Sequence, residues 1–104
     1  MVNRPDSDSG ERVCVRSLIS GRVQGVGYRY NTQQKAAALG LTGWVRNLPD
    51  GRVEAAIEGN SAQVDNLVKW FQSGPPAAYV EAVNIEEEPL QNFEGFEIRR
   101  SQGQ

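Results

Sequence analysis

The nine residues Gly21-Arg22-Val23-Gln24-Gly25-Val26-Gly27-Tyr28-Arg29 combine features that suit an oxyanion. Glycines can take positive φ and let successive backbone N–H groups point into one hollow. The residues that follow, Gln33-Gln34-Lys35-Ala36-Ala37-Ala38-Leu39, are fair to good helix formers. The loop therefore opens onto a helix N-terminus, with its unpaired donors and the positive end of its dipole. Arg29 falls in the first turn of that helix, where a planar guanidinium fork matches two phosphate oxygens. Arg22 would strengthen the field without contact. Spacing alone leaves this reading open against a plain tight turn between strand and helix. Two other phosphate motifs are excluded. The Gly-Lys-Ser/Thr ending of a nucleotide-binding loop is missing, and the glycine spacing is wrong for the dinucleotide fingerprint.

What is missing narrows the chemistry further. The chain has no histidine, so the usual neutral-pH proton shuttle and the commonest zinc ligand are both missing. Neither a Ser-His-Asp nor a Cys-His catalyst can be assembled. Cys14 is the single cysteine, so no internal disulfide can form and a reducing cytoplasm is the expected compartment. A cysteine phosphatase would need an arginine in the same loop as the thiol, and Cys14 reads instead as a strand residue. A net charge of -2 argues against a basic nucleic-acid face, and no apolar run is long enough to span a bilayer.

The elements that must position Arg29 follow from periodicity. The first strand is expected over 12–20: Val13, Val15 and Ile19 share one parity, interrupted by Ser17, while Cys14, Arg16 and Leu18 share the other. A helix is expected over 28–39 with Gly40 as its stop and Leu41 as hydrophobic closure. Strands over 42–48 and 52–58, joined by Pro49-Asp50-Gly51, read as a hairpin. Val53, Ala55 and Ile57 would face the core, and Arg52, Glu54 and Glu58 solvent. The second helix, 61–73, carries Val64, Leu67, Val68 and Phe71 on one stripe, capped by Asn60 or Ser61 and ended by Gly74-Pro75-Pro76. Strands over 80–87, with Val80 out of phase as at a bulge, and 93–99, with Phe96 and Ile98 inward, complete the chain. Arg46 is expected on an exposed strand face, and Phe93 in packing. Trp44 and Trp70 are undecided between core and surface.

This order, βαββαβ with an additional short edge strand, specifies an α+β ferredoxin-like sandwich: an antiparallel sheet with two helices on one face. Residues 1–11 are polar, lack the apolar stretch of a signal peptide and are expected to be a disordered tail. Residues 12–100 form the domain, and 101–104 a flexible C-terminus. In this topology the first helix joins two parallel strands with a third between them. Parallel strands end at the same sheet edge, so the glycine loop and Asn47, at the end of the second strand, should converge. If Val45 is core, Asn47 shares its face and points to the helix side, toward Arg29.

At these residues the sequence resembles the acylphosphatase family. Gly21 to Arg29 matches the motif Gly-x-Val-Gln-Gly-Val-x-aromatic-or-Met-Arg, with Tyr28 where Phe or Met is more usual. A second motif is matched by Gly43-Trp44-Val45-Arg46-Asn47-Leu48-Pro49-Asp50-Gly51-Arg52-Val53-Glu54, ending at Gly59. Thr32 and Leu39-Gly40-Leu41 also fit, while Asn31 stands where a larger or apolar residue is common. The resemblance covers Val13 to Arg99. It implies hydrolysis of a small-molecule acyl phosphate to a carboxylate and inorganic phosphate, with no metal or other cofactor and no nucleic-acid or membrane partner. Phosphate or another oxyanion would act as product or inhibitor, and a monomer is expected. It further implies that Arg29 binds substrate, that Asn47 orients the attacking water, and that the backbone of Val23, Gln24, Gly25, Val26, Gly27 and Tyr28 cradles the phosphoryl group.

That chemistry is feasible without histidine or metal. A carboxylate leaving group, with a conjugate acid of pKa about 4, departs without a general acid. Phosphoryl transfer is helped mainly by positioning and charge stabilisation. Two rivals share the topology. A non-catalytic anion-binding module would bind phosphate without turnover. An RNA-binding domain would need stacking aromatics and a basic sheet face, where this chain has Glu54 and Glu58.

Overall fold

A computed structural model describes residues 11–100 of the 104. The elements are β1 (Arg12–Arg22), α1 (Tyr28–Ala38), β2 (Thr42–Asn47), β3 (Val53–Asn60), α2 (Ser61–Phe71), β4 (Tyr79–Glu88) and β5 (Phe96–Ile98). In β1, Val15, Ser17 and Ile19 are buried together, so Ser17 lies within the apolar row. Helix α2 buries Val64, Leu67 and Phe71, and Asn60 caps it by accepting from the Ala62 N–H at 2.9 Å. Helix α1 is mostly polar, and buries only the line Tyr28, Thr32 and Ala36 at i, i+4 and i+8. It closes as expected: Gly40 turns the chain and the buried Leu41 donates its N–H back to the Ala36 carbonyl at 2.9 Å. Glu11 is tied in as well, accepting from the Ser61 N–H at 3.0 Å. The rest of the expected N-terminal tail, 1–10, and the C-terminal 101–104 lie outside the described residues.

The sheet order is β4-β1-β3-β2-β5, with both helices on one face. The βαββαβ sandwich is therefore as read from the sequence, and Tyr28, Val45, Val53, Ile57, Leu67 and Phe71 lie in its core. The expected bulge sits beside Val80, where the β1–β4 register slips between Ser20 and Gly21. One point differs. The four long strands pair antiparallel, but β5 pairs parallel to β2, so the sheet is mixed. The chain after β4 crosses the outer face of the sheet to reach the opposite edge. This crossing contains Phe93, and β5 begins at Phe96.

The crossing explains a second difference. Glu54 and Glu58 were expected to face solvent, yet they are 5% and 0% exposed. Glu58 accepts from the backbone N–H of Gln91 and of Phe93, the latter at 2.9 Å, and lies 3.8 Å from Arg12. Glu54 is clasped by Arg16 at 2.7 Å and Arg46 at 2.6 Å. Arg46 and Arg99 in turn cover the Trp44 ring at 5.0 and 4.8 Å. Arg46 is thus half-buried in an ion-pair network, and Trp44 serves as its platform. Trp70 is half-buried on the helix side, against Tyr28 and Phe71. Beside Glu58, the buried Cys14 thiol is pushed up to about 11 by burial, then by Glu58 and Glu88.

Burial opposes the charge on Glu58, but the N–H groups of Gln91, Phe93 and Asn92 and the Arg12 guanidinium outweigh it and hold its carboxyl below the ordinary value of 4.5. A depressed carboxyl stabilises the fold above its unfolded-state pKa, and that contribution fades as pH falls through the folded-state value. Glu58→Gln should therefore lower stability at pH 7 by about 1–3 kcal/mol. The gap between variant and wild type should narrow below pH 4.5, read as urea midpoints across the acid range. A gap independent of pH would contradict this account.

Candidate active site

Strands β1 and β2 flank β3 and both run antiparallel to it, so their C-terminal ends meet at one edge. There the chain leaves β1 at Arg22, makes the loop 23–27 and enters α1 at Tyr28. Gly25 and Gly27 have φ of +75° and +83°, a region other residues rarely adopt. A Cβ on Gly25 would meet nothing within 4 Å, so the need for glycine there is conformational rather than steric. Among the described residues, no N–H of Gln24, Gly25, Val26 or Gly27 donates to a backbone carbonyl. The first N–H groups of α1 lack intrahelical partners by construction. A run of free donors therefore crosses the loop and the helix start.

Val23, Gly25, Gly27, Tyr28, Arg29 and Asn47 line one cleft of about 200 Å³, and Tyr30 and Ile98 complete its rim. The structure thus brings Arg29 and Asn47 together with the loop, as the topology required. Among the described residues the Arg29 guanidinium makes no ion pair or hydrogen bond. Asn47 follows the face of the fully buried Val45, and its Oδ1 is buried with no hydrogen-bond partner. No acidic side chain lines the cleft. A free cation, free amides and an unused carboxamide acceptor suit an anion together with a donor such as water.

Tyr28 holds this arrangement from below. It is 2% exposed, its hydroxyl donates to the Phe71 carbonyl at 2.7 Å, and its ring lies 5.4 Å from Trp70 and 6.1 Å from Phe71. Burial pushes its phenol well up. Its side chain is packing, then, and fixes where the next residue, Arg29, leaves the helix. Asn31 serves the same turn, with its Nδ2 donating to the Gly27 carbonyl at 2.8 Å.

Gln24 and Val26 do not line the cleft. Val26 packs against the core. Gln24 has a role that its sequence position did not signal: Nε2 donates to the carbonyls of Leu48, at 2.8 Å, and Arg52, at 3.0 Å. It ties the loop to the β2–β3 turn, immediately after Asn47. The partners are distant in sequence, and nothing local to Gln24 reveals them. Asp50 serves the same turn, accepting from the Arg52 N–H at 3.1 Å. Arg46 points to the opposite sheet face, away from the cleft. Among the described residues, no three His, Cys, Asp or Glu side chains gather where they could share a metal ion.

Because Gln24 bridges the two segments that form the cleft, Gln24→Glu should be worse than its small change in shape suggests. A carboxylate has no donor for two carbonyls, and about 1–3 kcal/mol should be lost. Amide exchange around residues 48–52 should accelerate more than in α2. Unchanged exchange there would remove the bridging role.

Comparison with known proteins places this fold in a family. The acylphosphatase family profile matches residues 15–98. An acylphosphatase of Acaryochloris marina is 61% identical over 88 residues, covering 85% of this chain and 95% of the relative. The structure of an acylphosphatase from Coxiella burnetii superposes with a TM-score of 0.84 at 38% identity, covering 88% of this chain and 97% of that one. That of the Bacillus subtilis acylphosphatase gives 0.81 at 36% identity, with 84% and 98% covered. A glycine loop and an asparagine converge at one sheet edge in a fold shared with these enzymes along nearly their whole length, and the chain belongs to the acylphosphatase family.

Proposed function

We propose that this enzyme hydrolyses acyl phosphates in the cleft at the β1–α1 loop, without a metal. The amides of Val23 to Tyr28 and the Arg29 fork hold the phosphoryl oxygens, and Asn47 holds the attacking water. The observation that carries this reading is the unpaired Arg29 in the same cleft as Asn47 and the glycine loop with its free amides. A water held by the Asn47 carboxamide keeps a lone pair free for phosphorus. Its oxygen forms a bond to phosphorus while the bond from phosphorus to the acyl oxygen breaks, and the electron pair leaves on the carboxylate. The proton lost by water passes to a phosphoryl oxygen, so the products are a carboxylate and inorganic phosphate.

The charge accounting favours this site. A loose phosphoryl transfer spreads negative charge over the three equatorial oxygens. Donors fixed before reaction stabilise that charge without reorganising. The carboxylate leaves unaided because its conjugate acid has a pKa of about 4, whereas an alkoxide from a phosphomonoester would need an acid that this cleft lacks. The cytoplasm is the compartment we assign, where Cys14 stays a thiol.

Benzoyl phosphate hydrolysis in the presence of a chelator tests the reading, and a wild-type enzyme without activity there overturns it. Arg29→Ala should abolish both turnover and inhibition by phosphate. Arg29→Lys should lower kcat/KM by about 10²–10³, because a point charge replaces a fork. Asn47→Ala should lower kcat by about 10² or more while phosphate inhibition changes only a fewfold. Full activity in Asn47→Ala would remove its assigned role.

A further inference from the structure

Five large hydrophobic side chains are exposed among the described residues: Tyr30, Tyr79, Ile85, Leu90 and Ile98. Single exposed hydrophobics are ordinary. Two of these, Tyr30 at 61% and Ile98 at 40%, converge on the cleft that holds Arg29 and Asn47. They come from different elements, yet their relation is fixed. Tyr30 sits in the first turn of α1, and Gln33 of the same helix donates to the Phe96 carbonyl on β5 at 3.0 Å. Ile98 pairs with Val45 on β2, and the next residue, Arg99, donates its N–H to the Val45 carbonyl at 2.8 Å. The two apolar side chains are therefore built into the rim.

Charge says what they face. Arg29 and the loop amides draw the phosphoryl oxygens to their side of the cleft, which leaves the exposed apolar side chains of Tyr30 and Ile98 in the same lining for the uncharged acyl part.

We propose that Tyr30 and Ile98 form an acyl-group subsite that selects acyl phosphates with apolar acyl groups, aromatic or branched. The inference rests on the reading of the cleft as a phosphoryl site. A small or charged acyl group gains little from these two walls, whereas an aromatic one removes apolar surface of both partners from water. Because the rim is half open, the effect is smaller than the tenfold to two-hundredfold typical of a methylene in a closed pocket.

The test compares kcat/KM for benzoyl phosphate and acetyl phosphate, each corrected for uncatalysed hydrolysis, in wild type, Tyr30→Ser, Tyr30→Phe and Ile98→Thr. The ratio of the two constants does not depend on how much of a variant is folded. Wild type should prefer benzoyl phosphate. Tyr30→Ser and Ile98→Thr should each reduce that preference by about threefold to tenfold, mainly through KM, and Tyr30→Phe should retain it. An unmoved ratio in both polar variants, with both substrates still hydrolysed, overturns the subsite alone. Hydrolysis of neither substrate by wild type overturns the reading of the cleft beneath it.

Discussion

The ladder that β3 shares with β1 on one side and β2 on the other is the constraint from which the cleft follows. Antiparallel pairing to a common neighbour makes β1 and β2 parallel, and parallel strands deliver their C-terminal ends to the same edge. The glycine loop and Asn47 are brought together by main-chain hydrogen bonds before any side chain acts. Register then decides orientation. Asn47 lies two residues beyond the fully buried Val45, so it inherits the helix-side face. A one-residue slip of β2 would turn Asn47 to the sheet face that carries Arg46 and Glu54.

The ladder sets the neighbourhood, and side chains set the rest. Tyr28 is anchored on Phe71, Asn31 on Gly27, and Gln24 on Leu48 and Arg52. The bonds of Tyr28 and Gln24 join the loop and the helix it opens to separate parts of the chain, and that of Asn31 ties the helix start to the loop itself. The entropy of fixing the loop is thereby spent on folding rather than on binding, and in the proposed reaction the free amides would need no rearrangement when charge develops. Glycine enlarges the entropy to be overcome, which is why a loop with positive φ at Gly25 and Gly27 needs so many ties.

Much of this was legible in the sequence, because local rules carry it. Alternation located the strands, the stripe Val64, Leu67, Val68 and Phe71 located α2, and the topology placed Asn47 beside the loop. What failed to show is non-local. Alternation put Glu54 and Glu58 in solvent because it records which face a residue is on, not whether that face is covered. The crossing segment and the Arg16–Glu54–Arg46 clasp cover it. The parallel pairing of β5 depends on where that crossing ends, which no strand pattern encodes. The bridge from Gln24 spans 24 and 28 residues and has no local signature. Ser17 looked like a break in the core row and proves part of it.

Ser17 and Asn47 are also the two described residues with a buried side-chain oxygen lacking a partner, and the contrast between them is instructive. Leaving such an acceptor unmade lowers stability by about 1–3 kcal/mol. Ser17 Oγ lies within the row of Val15 and Ile19, 0% exposed, where its small size limits the strain and no ligand can reach it. Asn47 Oδ1 is buried too, but its residue lines the cleft in which Arg29 is unpaired. A carboxylate placed at the loop would have paired with Arg29, stabilised the chain and filled the anion's place. That the cleft carries no acid, while the outer face of the same sheet pairs Arg16 and Arg46 with Glu54, locates the unsatisfied polar groups where a phosphoryl group and its water would satisfy them.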